Sequence, residues 1–434
     1  MTHDERVLVL GMGRSGRAAA ELLRRDGADL CLYDRDADRV EEARRALGGE
    51  LETASGEALP DFAGFDRVVA SPGLRLASDA RLVPEVELAA QHLEAPLIGV
   101  TGTNGKSTTV VLIGEMLRAS GLRAGVGGNL GTPLCELVDQ PADWVVAELS
   151  SFQLEHAREL HARIAVLLNL APDHLDRHDD LEAYAAAKAR LAELQQPGDT
   201  LVANADDPWA HSVADRAPAR PCFFSATRPL DGGAWVDGDE LVLSGEDRDE
   251  LRIPVEELSP ACRAHLPNAL AAWLAAAEAG AGAHAMLEVL RGFEGLPHRS
   301  QPVCTRAGVE YVNDSKATNP AAAAACVDAQ RAPVWWLAGG RGKGADFTPL
   351  TRVAATVRAA LVYGEAAEAL EAALARRMEV VRVASLDEAL GEAARRAQPG
   401  DVVLLSPACA SFDQFDSFEA RGDRFVELAT ELPC

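Results

Sequence analysis

No stretch of about 18 or more consecutive apolar residues occurs, the length a membrane-crossing helix requires. The amino terminus, MTHDERVLVLG, lacks the layout of a secretory signal. No two of the eight cysteines (Cys31, Cys135, Cys222, Cys262, Cys304, Cys326, Cys409, Cys434) stand close together, so neither a zinc site nor a disulfide framework is expected. A soluble, cytoplasmic protein with no membrane partner is the expectation. Cations are also short: Lys plus Arg is 42 against 67 Asp plus Glu, a net charge of −25. Such a surface repels phosphate backbones and argues against nucleic acid, so any anionic ligand must sit in a locally positive pocket. Lysine is the scarcest cation. Four of the 42 basic residues are Lys (Lys106, Lys188, Lys316 and Lys343) and the rest are Arg. Guanidinium is bulkier and is not deprotonated in proteins, so the exceptions mark places where an ammonium or neutral amine is needed.

What is present is ordinary for a globular chain: 48% apolar and 25% charged residues. At 434 residues, division by about 150 per domain suggests three domains. Each block alternates strand and helix. RVLVLG, a glycine turn and helix, then ADLCLYD open the first block; FDRVVASPG ends in a Ser-Pro-Gly turn, and VPEVELAAQHLEAP is a linker helix. PLIGVTG and its following helix open the second, which adds WVVAELS, IAVLLNL and an Ala-rich helix near Asp180 to Gln196. From Asp206 to Val255 short segments suggest a small antiparallel insertion. VEYVNDS, PVWWLAGG, AALVYG and DVVLLSPACA carry the third block. The fold class is therefore α/β: a Rossmann-like domain over 1–86, a central P-loop-type mononucleotide-binding domain over 87–295 and a Rossmann-like domain over 296–434.

The strongest local motif is GVTGTNGKST, residues 99–108. Backbone N–H groups of Gly102, Thr103, Asn104 and Gly105 can wrap phosphates at a helix N-terminus, Lys106 can reach terminal phosphates, and the Ser107 or Thr108 hydroxyl can hold Mg²⁺. Val100 stands where the strict pattern has its first glycine. AELSSFQLE places Glu148 at a strand end, and PDHLDRH places Asp173, His174, Asp176 and His178 beyond another; Glu148 is a hard-oxygen Mg²⁺ ligand, while His174 is an unusual one. Lys188, among alanines, is either a solvated helical lysine or a neutral amine that CO₂ can carbamylate. In the third block Arg299, Asp314, Lys316, Thr318, Lys343, Ser411 and Phe418 lie at or near strand ends and suit a nucleotide and an acidic small substrate. GMGRSG, Gly11 to Gly16, with Asp34 beyond, matches a dinucleotide fingerprint; it equally suits another nucleotide's diphosphate, or a tight turn with no ligand.

Taken together, GVTGTNGKST, AELSSFQLE, PDHLDRH, the AAK of the central helix, GLPHR, NDSKATNP, GGRGKGADF and SPACASFDQF resemble the Mur ligases, in order and across all three blocks. The resemblance is strongest, through SPACASFDQFDSFEARG, to the branch that joins D-glutamate to UDP-N-acetylmuramoyl-L-alanine in peptidoglycan synthesis. It implies an ATP- and Mg²⁺-dependent ligase, expected to be a monomer, whose third domain closes over ATP and the amino acid. By position it implies Lys106 on the ATP phosphates; Ser107 or Thr108, Glu148, His174 and, if carbamylated, Lys188 on Mg²⁺; and Asn268, Arg299 and Asp314 on ATP. Lys316, Thr318, Lys343, Ser411 and Phe418 fall in the glutamate pocket. Gly13, Arg14, Ser15, Asp34 and Arg35 fall on the uridine diphosphate, with Ser71, Pro72, Gly73 and Asn129 along the same substrate path.

Two departures stand out. The glycine-flanked HN segment usual before NALAA reads CRAHLPNALAA here, and the acid usual in GGDGK is Arg341. The second leaves D- against L-glutamate open. Other readings are a ligase for L-glutamate or another amino acid (a folylpolyglutamate synthase-like enzyme among them), an NAD-binding protein, and a nucleotide-dependent switch.

Overall fold

The computed structural model describes residues 5–48, 50–129, 131–173, 177–245, 248–353 and 357–432. It forms two compact units: one comprises residues up to 258 and 266–292, the other 259–265 and residues from 293 onward. Three sheets of mostly parallel strands give the mixed α/β class expected from the alternating pattern. Among the described residues no helix is long and apolar enough to cross a membrane.

The first unit holds two sheets. In space the strands of the first run Glu52–Ser55, Asp29–Asp34, Arg6–Leu10, Arg67–Ala70, Leu82–Pro84, all parallel. Val7 to Leu10 are fully buried, as a strand covered on both faces requires. Chain order reverses beside Arg6–Leu10, so the turn after it and the Ser71–Gly73 turn after Arg67–Ala70 flank one crevice at the carboxyl ends of the strands. The helix Glu85–His92 then ties this sheet to the next. Its first-turn carboxylates are buried, Glu85 accepting from the Cys135 amide (2.8 Å) and Glu87 from those of Arg158 and Glu159 (2.8 Å for the latter).

The second sheet has nine strands, with Leu97–Thr101 between Ile164–Leu167 and Trp144–Glu148. Its own switch point thus falls at the loop that follows Leu97–Thr101. Beneath lies the helix Lys106–Ala119, packed on Leu266–Glu278, whose Trp273 is fully buried. Two sequence expectations need correction. The Asp206–Val255 stretch is not a separate insertion: Arg220–Ser225 continues the parallel sheet, and Gly233–Asp237, Glu240–Gly245 and Arg248–Pro254 extend its edge, the last two pairings antiparallel. Ala124–Gly128, a strand at the opposite edge, was not expected, because three of its five residues are glycine and carry no apolar alternation.

The second unit is built on a six-stranded sheet in the order Gln301–Arg306, Val309–Asn313, Val402–Leu405, Val334–Gly339, Val357–Tyr363, Val380–Arg382, antiparallel only at the first pair. Trp336, Leu337, Leu404 and Leu405 fill its two faces.

The glycine turn of the first sheet tests how tightly the fold specifies its ligand loops. A Cβ on Gly16 would lie 1.8 Å from the Gly11 carbonyl oxygen. Gly16→Ala is therefore expected to cost about 1–3 kcal/mol, read as a lowered melting temperature; an unchanged melting curve would contradict this packing.

Candidate functional site

The loop after Leu97–Thr101 is shaped by two glycines. Gly102 (φ +153°) and Gly105 (φ +92°) take backbone conformations that side chains rarely adopt, and a Cβ on Gly105 would meet the Asn268 carboxamide oxygen at 2.2 Å. Asn268 is thereby placed directly against the loop, from the helix Leu266–Glu278. Asn169, at the end of the neighbouring strand, clamps the loop's centre: its Oδ1 accepts from the Asn104 amide (2.9 Å), its Nδ2 donates to the Asn104 carbonyl (3.0 Å), and its carbonyl accepts from the Thr103 amide (2.9 Å). The Gly105 cap of the helix Lys106–Ala119 makes no side-chain hydrogen bond, leaving that N-terminus open to an anion.

Two lysines meet at the loop. Lys106 Nζ donates to the carbonyls of Gly102 and Thr103 (both 2.9 Å), and Lys188 Nζ donates to the same Gly102 carbonyl (2.8 Å). Lys188 is not a solvated lysine: it is 1% exposed, with its ammonium 4.6 Å from the Tyr184 ring centroid. Burial, and then the neighbouring Lys106, hold its pKa well below the usual lysine range, while Asp173 and Glu148 pull weakly the other way. Burial of this kind favours the neutral, nucleophilic form of an amine.

Glu148 completes the group. Its Oε2 accepts from the Ser107 hydroxyl (2.6 Å) and its Oε1 from the Asn129 carboxamide (2.8 Å), so Asn129 joins this site through the carboxylate. Thr108 Oγ1 is buried and has no hydrogen-bond partner. Ser107, Thr108 and Glu148 form a hard-oxygen set suited to Mg²⁺, which keeps water and phosphate oxygens as its remaining ligands. Among the described residues no cluster of three His, Cys, Asp or Glu side chains could hold a metal alone. His174 and Asp176 lie outside the described residues. His178 is structural, its Nε2 on Ser151 Oγ (2.9 Å) and its ring stacked on Phe152.

In the first sheet the helix Arg14–Arg25 begins at Gly13 with no side-chain cap. Asp34 turns back on its own chain, accepting from the Met12 amide (2.6 Å) and the Asp36 amide (3.0 Å), and Ser71 Oγ donates to the Gly11 carbonyl (3.0 Å). Gly13, Ser15, Ser71 and Pro72 therefore border one crevice, with Arg14, Arg35 and Gly73 exposed at its edge.

In the second unit Asp314 is buried, accepting from the Ser300 amide (3.0 Å) and Ser406 Oγ (3.1 Å). Burial raises its pKa, against the pull of Cys326, Arg299 and these donors. Lys316 Nζ stands 5.3 Å from the Phe418 ring centroid, and Thr318 follows two residues on. Ser411 is buried on the segment that pairs, through Ala410, with Arg341. Lys343 is exposed with φ +50°. Arg341 directs its guanidinium at Glu365 (3.1 Å), so its charge is spent on a surface partner.

Sequence reasoning missed Arg421, which is fully buried and donates to Ser315 Oγ, the Ser315 carbonyl and the carbonyls of Gly339 and Cys409 (2.8–3.3 Å). It joins the ends of three strands. A lone arginine in an amphipathic helix carries no local mark of this. Asn169 was quoted within its motif but not singled out; an asparagine at the apolar end of a buried strand was the available signal.

With this geometry in place, comparison with known proteins is specific. Residues 100–276 match the Mur ligase middle domain, and residues 298–409 match the Mur ligase glutamate ligase domain. A UDP-N-acetylmuramoylalanine–D-glutamate ligase of Pelotomaculum thermopropionicum is 41% identical over 99% of this chain and 98% of its own. Among solved structures, a pseudomurein peptide ligase type C from Methanothermus fervidus is similar in fold, with a TM-score of 0.64, 18% identity and coverage of 98% of this chain and 100% of that one. A Yersinia pestis bifunctional folylpolyglutamate synthase/dihydrofolate synthase, solved with AMPPNP and Mn ion, has a TM-score of 0.59 at 20% identity, over 80% and 92%.

The buried amine gives a pH test. A lysine whose pKa is depressed by folding binds fewer protons folded than unfolded, so stability rises with pH between the folded value and the ordinary value near 10.5. In CO₂-depleted buffer, wild type is expected to gain stability relative to Lys188→Met as the pH rises toward that ordinary value. Parallel stability curves for the two proteins would refute a neutral Lys188.

Proposed function

The chain belongs to the Mur ligase family, and we propose how its residues divide the family's work. The protein is an ATP-dependent ligase that adds D-glutamate to UDP-N-acetylmuramoyl-L-alanine in peptidoglycan synthesis; full-length identity to ligases of that activity carries this conclusion.

In this reaction the alanyl carboxylate attacks the γ-phosphorus of ATP, giving an acyl phosphate and ADP. The amine of glutamate then attacks the acyl carbon, an amide bond forms, and inorganic phosphate leaves with the bonding pair. Little of this needs covalent participation by the protein, so its work is positioning and charge neutralisation. The amides of Gly102 to Gly105 and the ammonium of Lys106 cradle the phosphates. Ser107 and Glu148, with the nearby Thr108, would hold Mg²⁺, which would offset phosphate charge. Lys188, whose pKa burial lowers, is assigned to carbamylation, and His174 to the metal, by the family pattern. Asn268, Arg299 and Asp314 are assigned to ATP by the family pattern.

Lys316, Thr318, Lys343, Ser411 and Phe418 are assigned to glutamate, with Lys316 and Lys343 supplying cations for its carboxylates. The crevice of the first sheet takes the uridine diphosphate: Gly13 to Ser15 offer an uncapped helix N-terminus to the diphosphate, and Asp34, Arg35 and Ser71 to Gly73 line the approach. Asp34 already accepts two backbone N–H groups, which favours this over a dinucleotide whose ribose would need that carboxylate. We assign the enzyme to the cytoplasm, where ATP and its nucleotide-linked substrate occur together.

Phosphate release from ATP and Mg²⁺ with UDP-N-acetylmuramoyl-L-alanine tests this division. Release is expected with D-glutamate and not with L-glutamate or no amino acid; release with L-glutamate alone would overturn the substrate. Lys106→Ala and Glu148→Ala are expected to lower the rate at least about a hundredfold, with melting temperatures within about 3 °C of wild type. Wild-type turnover in either variant would remove that residue from the mechanism.

A further inference from the structure

Residues 259–265 group with the second unit, although the residues on either side of them in sequence group with the first. This short strap is fixed within its unit. Ser259 caps the helix Pro260–Ala264 by accepting from the Cys262 amide, Cys262 is buried, and the Ala261 methyl lies so close to Gly295 (φ +88°) that a Cβ there would stand 3.1 Å away. The strap ends at His265, whose Nε2 is 3.0 Å from Ser300 Oγ.

Ser300 belongs to an unusual turn. His298 (φ +60°) and Ser300 (φ +43°) are both left-handed without being glycine, and Arg299 sits between them. Such backbone persists only where its surroundings over-determine it, and it concentrates at ligand-holding positions. The two shoulders of this arch are fastened separately. The His298 shoulder is held by Gln301, which accepts from its amide (2.9 Å), by Asn313 on its Nδ1 (3.0 Å) and by the Lys316 amide on its carbonyl (3.0 Å). The Ser300 shoulder is held by Asp314 on its amide and by His265 on its hydroxyl, with Cys326 Sγ a looser neighbour at 3.5 Å.

We infer that His265 is a positioning residue for the nucleotide: through Ser300 it sets the arch that presents Arg299. This rests on the assignment of Arg299 and Asp314 to ATP. The imidazole suits the task because it stays neutral. Burial, and behind it the Arg299 guanidinium, push its pKa down to about 3, so the ring neither adds a second cation beside Arg299 nor titrates in the working range. A neutral ring nitrogen can accept a hydrogen bond from the Ser300 hydroxyl, while Asp314 holds the Ser300 amide. Losing the ring frees one of the two fastenings of Ser300 while leaving the His298 shoulder, and the Lys316 backbone beyond it, untouched.

Steady-state kinetics on His265→Ala, His265→Gln, Ser300→Ala and Arg299→Ala, with the double variant His265→Ala/Arg299→Ala, tests this. His265→Ala and Ser300→Ala are expected to raise KM for ATP roughly tenfold with kcat within about threefold and KM for glutamate unchanged. The glutamine amide reaches the place of Nε2, so His265→Gln is expected to recover most of the ATP affinity. The double variant should bind ATP no worse than Arg299→Ala alone, since the histidine acts through the arginine. A raised KM in Arg299→Ala with a normal KM in both His265→Ala and Ser300→Ala overturns the inference and leaves the ATP assignment standing. Multiplying penalties in the double variant overturn it too. A normal KM for ATP in Arg299→Ala overturns the assignment itself, and the inference with it.

Discussion

Two lysine side chains converge on one carbonyl, that of Gly102, and much of the candidate site's form follows from this. Two ammonium groups cannot share a buried acceptor cheaply, and the pKa of the buried partner, Lys188, is lowered by burial and by Lys106. Lys106 stands partly buried at the mouth of the loop; Lys188 is sealed beneath it, where burial and Lys106 lower its pKa. The carbonyl can serve both only because Gly102 holds φ +153°, where a Cβ would press on Leu168 at 2.9 Å. Gly105 admits Asn268 in the same manner. The loop's form is thus set from below by a lysine, from one side by the strand that ends in Asn169, and from the other by the helix that bears Asn268.

Much of this was legible in the sequence because it is written locally. Strand, glycine loop and helix follow one another at 97–119, so the loop and Lys106 could be read without knowing the fold. Apolar runs that end in Glu148, Asn169, Asp314 and Ser406 marked strand ends, and the ends of parallel strands are where ligands bind. What escaped was written between distant residues. Arg421 finds its acceptors on Ser315, Gly339 and Cys409, and His265 finds Ser300; no periodicity encodes such pairs. The Ala124–Gly128 strand escaped for a different reason: its pairing with Trp144–Glu148 comes from backbone, and its glycines offer no pattern. The 233–254 hairpin was read correctly as antiparallel, but its attachment to the sheet depends on a two-residue parallel contact with Arg220–Ser225.

The division between arginine and lysine now has a structural meaning. Many arginines pair with carboxylates at the surface, as Arg123 does with Asp143 and Arg424 with Asp387. These are charge-assisted contacts for which a planar fork is well suited. Arg421 is the same chemistry turned inward, where several donors in a fixed plane satisfy carbonyls from three strand ends. A lysine could not replace it, since one ammonium cannot span those acceptors. Conversely an arginine at 188 could not give up its proton, and would leave a permanent charge 1% exposed beneath a loop that must already tolerate Lys106.

The three sheets also solve one problem in one way. Loops that bind anions need free backbone amides, yet free amides leave a loop undetermined. In each sheet a side chain at or just beyond a strand's carboxyl end takes a few of those amides and leaves the rest. Asp34 takes Met12 and Asp36, Asn169 takes Asn104, and Asp314 takes Ser300. Two of these are carboxylates beside expected anion sites, which would be self-defeating if their charge faced the ligand. Their oxygens are instead committed to backbone N–H groups and, on Asp314, to the Ser406 hydroxyl, which ties each carboxylate to the segment that shapes the loop. At the central loop, where the phosphates to be transferred would lie closest, the clamp is the uncharged asparagine. In a chain with a net charge of −25, the acids nearest the expected anion sites, Asp34 and Asp314, are thus tied to the scaffold, while its four lysines stand within the site motifs.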